Sequence, residues 1–365
     1  MKRILLASLA SSLLLVASSR CVQAQDVTEL PTAGQDAVLD SPSARSFAPE
    51  SSPDTWANPA IDGYGCGACG YSHCCYSDCG TGYCNDGCGH GSVLSQIINQ
   101  FCPSDRCFTG FVSPITNPVF FEDPRTLTEA RALFINHSLP DTLGGGDVQV
   151  YALQLRAALN DRLSVIAIKD GFVVGQPNAP HDDGWADIGI GFKYLLWADC
   201  CQQRLLAGGI TYEVPNGQRR ALQGNGDGEF NAFLSGAARL WDAVNWMGII
   251  GVRVPTDHNE ENQILYYSNH ISRRFGCSNI YLVSETNVYH YLRSGNQTAL
   301  AGIGGLDLYN FGSTGVAGNT VVTSAWGVKF KPDPSTEIGL AFEVPVTNRE
   351  DVLDDRLTVD WIFRY

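Results

Sequence analysis

The last ten residues of the chain, Arg356 to Tyr365, read RLTVDWIFRY, and the fold can be argued outward from them. Apolar side chains take every second position of this stretch: Leu357, Val359, Trp361, Phe363 and Tyr365. Polar ones take most positions between: Arg356, Thr358, Asp360 and Arg364. Because a period of two places alternate side chains on opposite faces of a β-strand, the stretch predicts a strand with one apolar and one polar face.

The same alternation recurs along the C-terminal two-thirds of the chain, in segments about ten residues long that Asn, Asp, Gly and Pro separate. The clearest is Ile188 to Leu196, where the apolar residues alternate with glycine and lysine. The other segments are Leu127 to Leu139, Tyr151 to Leu159, Leu163 to Val174, Leu205 to Val214, Phe230 to Trp241, Trp246 to Val254, Ile264 to Phe275, Ile280 to Tyr291, Thr320 to Lys331 and Ile338 to Val344. This spacing predicts an all-β fold, an antiparallel up-and-down transmembrane β-barrel of about 12 strands over residues 127–365.

A repeated strand ending predicts the topology of this barrel. Val214-Pro215, Val254-Pro255 and Val344-Pro345 each close a segment and precede a polar loop, as expected because proline cannot donate to a β-ladder. Short turns face the periplasm in such barrels, so these three strands are expected to rise toward the outside. An even strand count with both chain ends periplasmic then requires Arg293 to Gly318 to be one long external loop.

The N-terminal third has a different composition. Residues 1–24 have a basic start, an apolar stretch and a small-residue cleavage site, which predicts a secretory signal. Residues 25–63 are rich in Ser, Pro and acidic residues and predict a disordered linker. Residues 64–107 predict a cysteine-rich module with a short amphipathic helix over Ser92 to Phe101, which could either plug the barrel or cap the module, and residues 108–126 predict a connecting segment.

Charge and hydropathy exclude several classes of protein. The net charge of -14 argues against nucleic acid as a partner. Beyond the signal no run of about 18 apolar residues occurs, which excludes a membrane-spanning helix and leaves a barrel or a soluble protein. The soluble alternative is a secreted β-sandwich, but the segments are longer than the five to six residues that are usual in soluble sheets.

The cysteines are expected to form disulfides. The chain has 13 cysteines, and removing Cys21 with the signal leaves an even number in an oxidising compartment. The candidates are Cys66, Cys69, Cys74, Cys75, Cys79, Cys84, Cys88, Cys102, Cys107, Cys200, Cys201 and Cys277. Zinc binding is the alternative to disulfides for Cys66 and Cys69, with His73 and His90 as further ligands, but we predict no metal. The last three cysteines fall in predicted periplasmic turns, so we hypothesise that the module is tethered beneath the barrel.

The polar face of the strands supplies candidate lumen-lining residues of both charges. They are Arg156, Lys169, Asp187, Lys193, Glu213, Arg239, Arg253, Glu285, Lys329, Glu343 and Asp360. Two interpretations stay open: mutually neutralising charges that fill the lumen, and a polar conduction path.

Aromatic residues predict contacts with the membrane and with the assembly machinery. Trp197, Trp241 and Trp246 flank predicted periplasmic turns, as in an aromatic girdle that touches outer-membrane lipid. Trp361, Phe363 and Tyr365 resemble the terminal signature by which barrel-assembly machinery recognises such strands.

Signatures of enzymes are absent from the sequence. It contains no Gly-x-Ser-x-Gly, phosphate loop or His-Glu-x-x-His motif, and His137, His258, His270 and His290 are isolated along the chain. We therefore predict no catalytic residues and no cofactor.

Three stretches carry a resemblance to a known family: Thr211 to Gly217 (TYEVPNG), Gly327 to Pro332 (GVKFKP) and Asp355 to Tyr365. Over Asp147 to Tyr365 the chain resembles the outer-membrane transporter family associated with the meta-pathway of phenol degradation. The resemblance implies a barrel that passes small organic solutes, with no catalytic residues to carry over.

Two functions follow as competing hypotheses. The first is an outer-membrane channel or transporter for small organic solutes. The second is a structural cell-envelope protein in which the barrel anchors a disulfide-rich periplasmic interaction module.

Overall fold

A computed structural model of the chain describes residues 101–175, 182–241 and 243–365. The predicted signal, the linker, the helix before Phe101 and the cysteines from Cys66 to Cys88 lie outside the described residues. The strands are β1 (Glu129–Ser138), β2 (Asp147–Ala158), β3 (Leu163–Lys169), β4 (Gly171–Gly175), β5 (Gly184–Trp185), β6 (Ile188–Asp199), β7 (Arg204–Val214), β8 (Glu229–Trp241), β9 (Val244–Pro255), β10 (Gln263–Arg274), β11 (Ile280–Arg293), β12 (Thr320–Asp333), β13 (Thr336–Pro345) and β14 (Asp355–Arg364). Two single-turn 3-10 helices, Asp141–Leu143 and Arg219–Ala221, lie in loops.

The strands form one antiparallel sheet that closes on itself. β1 pairs with both β2 and β14, so the first and last strands leave no free edge. β3 and β4 lie end to end against β2, and β5 and β6 continue one another in the same way. Counting each broken pair as one crossing gives a closed barrel of 12 strands, which confirms the sequence prediction.

The two ends of the barrel differ in the length of their connections. The turns after β2, β6, β8, β10 and β12 are short and lie at the same end as Glu129 and Tyr365; we call it the short-turn end. The connections after β1, β4, β7, β9, β11 and β13 lie at the other, long-loop end. Val214, Pro255 and Pro345 all end their strands there, as predicted. Residues 294–319 contain no named strand, which confirms the single long loop.

The outer surface of the barrel is apolar and exposed. In β6 the outward side chains from Ile188 to Leu196 are each 42–54% exposed, while the inward Lys193 is 2% exposed. In β14 the outward Trp361 and Phe363 are half exposed and the inward Asp360 is buried. This distribution is the inverse of a soluble protein and matches a barrel whose wall faces hydrocarbon. A single closed sheet is also not a sandwich, so the soluble β-sandwich alternative is wrong.

Within residues 101–175, 182–241 and 243–365 the structure contains no helix with the length and hydropathy needed to span a bilayer.

Candidate functional site in the occupied lumen

Residues 108–126, expected from the sequence only to connect the module to β1, lie inside the barrel; we call them the plug. Phe111, Val112 and Ile115 are fully buried although they belong to no strand or helix. The segment enters and leaves at the short-turn end, where the Asp105 N–H donates to the Thr126 carbonyl at 2.9 Å. The plug is therefore a re-entrant loop with adjacent ends.

The tip of the plug is bound by one carboxylate of the wall. The backbone N–H groups of Ile115 and Thr116 each donate to Glu285 at 2.7 Å, and the Thr116 hydroxyl donates to the same carboxylate. Asn117 then reverses the chain with a φ of 52°, a left-handed conformation that asparagine tolerates better than most residues. Its carbonyl accepts the N–H groups of Phe120 and Phe121.

The returning limb of the plug carries charge that the wall neutralises. Glu122 accepts from Arg156 and from Lys193, each at 2.7 Å. Burial alone would raise the pKa of Glu122, but the two cations hold it below its usual value, so the carboxylate is ionised. Asp123 pairs within the plug with Arg125 at 2.7 Å. The plug thus brings anions that match cations on the barrel wall.

The wall also neutralises much of its own charge. Asp360 binds Lys329 at 2.9 Å and Arg131 at 2.8 Å. Glu337 binds Arg364 at 2.6 Å, and all five side chains of these contacts are less than 5% exposed. Buried charges persist only when paired and hydrogen-bonded, and here strand side chains provide much of that pairing without the plug.

A second segment closes the lumen from the long-loop end: residues 303–311 of the β11–β12 connection, which we call the inward loop. Its Asp307 is fully buried and accepts two hydrogen bonds from the Arg356 guanidinium, at 2.8 and 3.0 Å. Leu306 beside it is also fully buried. At the start of the loop, Gly304 donates to Asp351 and contacts the Tyr291 ring so closely that a Cβ would clash.

The plug and the inward loop meet near the middle of the barrel. A cavity of about 40 Å³ separates Pro118 and Val119 of the plug from Leu308 and Tyr309 of the inward loop. It has room for about one water molecule. Apolar strand residues such as Val150 line its sides. The described residues therefore close the lumen at this level.

An aromatic contact fixes the plug just below this cavity. Phe120 stacks on Tyr266 of β10 with centroids 4.6 Å apart and planes 12° apart. The Arg253 guanidinium lies 5.3 Å from the centroid of the Phe120 ring. Phe120 thus joins the plug to both β9 and β10.

Most of the candidate lumen residues are buried inside the barrel. Those less than 9% exposed are Arg156, Lys169, Asp187, Lys193, Arg253, Glu285, Lys329, Glu343 and Asp360. The Glu213 side chain is 14% exposed and accepts from Lys169 at 2.5 Å. Arg239 is exposed at the short-turn rim, where it donates to Gln203. A role for these side chains in permeation stays a prediction.

The predicted girdle and assembly residues lie on the outer surface near the short-turn end. Trp197 and Trp241 are 51% and 62% exposed. Trp246 is partly buried, and its indole N–H donates to Asn269 at 2.9 Å. Trp361, Phe363 and Tyr365 are each half exposed. Their contacts with lipid and with the assembly machinery stay predictions.

The described cysteines all lie at the short-turn end. Cys102 donates its N–H to the Ala158 carbonyl at the end of β2, and the Cys107 carbonyl accepts from Gln203 in the β6–β7 turn. That turn contains Cys200 and Cys201, and Cys277 lies in the β10–β11 turn. Among the described residues no group of three or more His, Cys, Asp or Glu side chains could hold a metal ion.

The sequence offers the helix over Ser92 to Phe101 as a possible plug and does not predict that residues 108–126 fill the lumen, although one signal points to them. The stretch from Phe108 to Phe121 contains four phenylalanines and two prolines but no alternation, so it suits neither a strand nor a solvated linker. An apolar stretch without strand periodicity next to a predicted barrel is what a lumen-filling segment requires.

Comparison with solved structures finds other barrels at low sequence identity. The COG4313 outer membrane channel from Pseudomonas putida F1 is 11% identical, with 70% of this chain and 100% of that chain covered and a TM-score of 0.46. A KdgM porin is 10% identical, with coverages of 64% and 99% and a TM-score of 0.37. The outer membrane channel DcaP of Acinetobacter baumannii is 9% identical, with coverages of 66% and 71% and a TM-score of 0.29. No family model and no curated protein matches the chain, so membership of the phenol meta-pathway family stays a prediction.

Proposed function

We propose that the chain is an outer-membrane β-barrel channel for small organic solutes, which the plug and the inward loop hold shut in the described state. The exposed apolar side chains of β6 and β14 support the membrane location, because a closed sheet with an apolar outer surface is stable in hydrocarbon and not in water. The outer membrane is the bilayer in which such barrels occur.

The observation that carries the channel function is the pairing of charges on the lumen wall. Lys329, Asp360 and Arg131 neutralise one another without the plug, and Arg364 pairs with Glu337 in the same way. If the plug moves away, water meets a wall that already balances much of its charge. A barrel serving only as an anchor has no need of a wide polar wall, because eight strands make a lumen that side chains can fill.

The orientation is part of the proposal. Short turns and both chain ends at one end suit a periplasmic short-turn end, and long connections suit the outside. In this orientation the outward Trp361, Phe363 and Tyr365 stand near the periplasmic side, available to the assembly machinery.

We also propose that disulfides tether the N-terminal cysteines to the periplasmic rim. Cys102 and Cys107 lie at the same end as Cys200, Cys201 and Cys277, which supports it. Peptide mapping under non-reducing conditions is the test. We expect Cys200, Cys201 or Cys277 to be linked to a cysteine between Cys66 and Cys107, and their absence from every such link would end this part of the proposal.

The experiment for the channel removes the plug. Because the Asp105 N–H and the Thr126 carbonyl are hydrogen-bonded, residues 108–125 can be replaced by a short Gly-Ser linker, which keeps Cys107 and does not stretch the chain. The control keeps the plug and carries the same linker between Asp105 and Arg106. Heat-modifiable gel mobility verifies that both barrels fold.

The plug-less barrel still contains the inward loop, so a second variant also replaces residues 305–310 by a Gly-Ser linker, which the hydrogen bond from the Phe311 N–H to the Gly304 carbonyl allows. We expect sustained conductance in planar bilayers from the barrel that lacks both segments, and only rare openings from the wild type and the control. Liposome swelling with small neutral organic solutes then tests the solute class. A folded barrel that lacks both the plug and residues 305–310 and passes neither ions nor solutes would reject the channel and favour the anchor hypothesis, which the filled lumen of the described state also suits.

A further inference from the structure

We propose that a cleft at the long-loop end is a binding site for a small zwitterion with an apolar body, such as a large apolar amino acid. The cleft has a volume of about 310 Å³, within the range of small-molecule sites. It lies between the β7–β8, β9–β10 and β11–β12 connections, outside the closed lumen. Its lining includes Arg219, Leu222, Glu260, Gln297, Leu300 and Phe311.

The walls of the cleft are held together by hydrogen bonds between loops. The Asn296 N–H donates to the Asn259 carbonyl at 2.8 Å, and the Gly295 N–H donates to the Asn262 side chain at 2.8 Å. Gln297 exchanges backbone hydrogen bonds with Gly312 and Thr314 across the long loop. Because these contacts exist without a ligand, little ordering would accompany binding.

The charges of the cleft suggest what it binds. Arg219 makes one long hydrogen bond, from Nε to the Gly224 carbonyl at 3.4 Å. In the part of the chain that the structure describes, no ion pair joins Arg219 to Glu260, and the Glu260 carboxylate accepts no hydrogen bond. A cation and an anion that line one cleft without pairing with each other complement a ligand that carries both charges.

The remaining lining complements an apolar body. Leu222, Leu300 and Phe311 supply apolar surface beside the two charges. A ligand carboxylate would bind the Arg219 guanidinium, whose planar fork suits it, and a ligand ammonium would bind Glu260. The side chain of the ligand would then cover the leucines and the ring.

The cleft also touches the segment that closes the lumen. Phe311 stacks on Tyr309 with centroids 5.3 Å apart and planes 15° apart, and Tyr309 is a buried residue of the inward loop. A ligand on Phe311 would therefore bias the position of the inward loop. This coupling rests on the proposed channel function, whereas binding in the cleft does not.

The experiment compares three probes that share a phenyl group and differ in charge. Equilibrium dialysis of the purified chain in detergent micelles, against empty micelles, measures binding of L-phenylalanine, hydrocinnamate and phenethylamine. The last two lack the ammonium and the carboxylate, respectively. We expect L-phenylalanine to bind about tenfold more tightly than either, because each of the other two probes lacks one of the two charge-assisted contacts.

Charge variants assign each end of the ligand. We expect Arg219→Gln to weaken L-phenylalanine and hydrocinnamate about tenfold and to spare phenethylamine. Glu260→Gln should weaken L-phenylalanine and phenethylamine and spare hydrocinnamate. Arg220→Gln and Asp141→Asn are the matched controls, because both residues are exposed at this end and neither lines the cleft.

Two results would overturn the proposal. One is binding of hydrocinnamate or phenethylamine as tight as that of L-phenylalanine, and the other is no binding above empty micelles. Because dialysis uses the closed barrel and measures no flux, failure here leaves the channel proposal standing, and absence of conductance leaves the cleft standing.

Discussion

The two halves of the lumen are closed by different kinds of contact. In the short-turn half, acidic groups have several cationic partners: Glu122 binds Arg156 and Lys193, and Glu337 binds Lys329, Lys331 and Arg364. In the long-loop half, the inward loop packs among buried apolar and aromatic side chains. Its one buried acid, Asp307, forms its ion pair with Arg356 alone among the described residues.

The difference shows which closure depends on a single residue. Removing one cation from the short-turn half leaves the acid paired with another, so the plug is held by a distributed network. Removing Arg356, the one cation that is ion-paired with Asp307 among the described residues, leaves a buried charge without an ion-pair partner, which is far more costly. The inward loop is therefore the closure that we expect to be more sensitive to a single substitution.

The largest expected effect tests this contrast directly. Arg356→Ala leaves Asp307 buried and unpaired and should lower the free energy of unfolding by about 3–5 kcal/mol. Lys193→Met, its counterpart beside the plug, leaves Glu122 paired with Arg156 and should cost clearly less. Urea unfolding in micelles measures both. If both variants lose the same free energy of unfolding, the number of cationic partners around each acid does not distinguish the two halves.

The second test concerns the plug tip, where one carboxylate serves several donors. Glu285→Gln keeps the shape but loses the charge that accepts from Ile115 and Thr116, and should weaken plug attachment by about 2–3 kcal/mol. We expect faster hydrogen exchange at the amides of these two residues and more frequent conductance bursts. Thr286→Ser, at the next position of β11, is the control. Unchanged exchange at the tip would remove Glu285 as the group that holds it.

The contrast between the halves also marks what could be predicted from the sequence. Strands were recognised because each has one lipid face and one inner face, and that difference is local: even the broken strand Leu163 to Val174 was found. Contacts of the plug are not local. Ser113 binds Glu337 and Ile115 binds Glu285 across separations of 224 and 170 residues. A pattern within one segment carries no information on a partner that far along the chain, so the polar face was predicted but not what fills it.

A third test uses pH at the long-loop end. Burial raises the pKa of Glu261, in the β9–β10 connection, to about 7; Arg253 and Lys169 oppose this, whereas Glu213 and Asp187 add to it. The folded connection therefore favours the protonated Glu261 carboxyl. The stabilisation of the folded connection by this protonation is complete below the ordinary pKa near 4.5 and is lost as the pH rises through 7.

We expect local opening of this connection to increase about fivefold between pH 6 and 7. The measurement is hydrogen exchange of residues 256–262 in the wild type relative to Glu261→Gln at each pH, since the ratio cancels the intrinsic pH dependence of exchange. A ratio that stays constant from pH 5 to 8 would contradict the expectation.

The smallest expected effect lies where the halves meet. Phe120→Leu keeps an apolar side chain but removes the stack on Tyr266 and the contact with the Arg253 guanidinium, which should cost about 0.5–1.5 kcal/mol. Phe121→Leu is the matched control, because Phe121 is equally buried and forms no ring stack among the described residues. If the loss of stability comes from the ring stack, Tyr266→Leu should lower the free energy of unfolding less in the Phe120→Leu background than in the wild type. If the two losses in the free energy of unfolding add strictly, the plug and the wall do not cooperate through these two rings. The contact between the two closures would then rest on the apolar side chains around the central cavity.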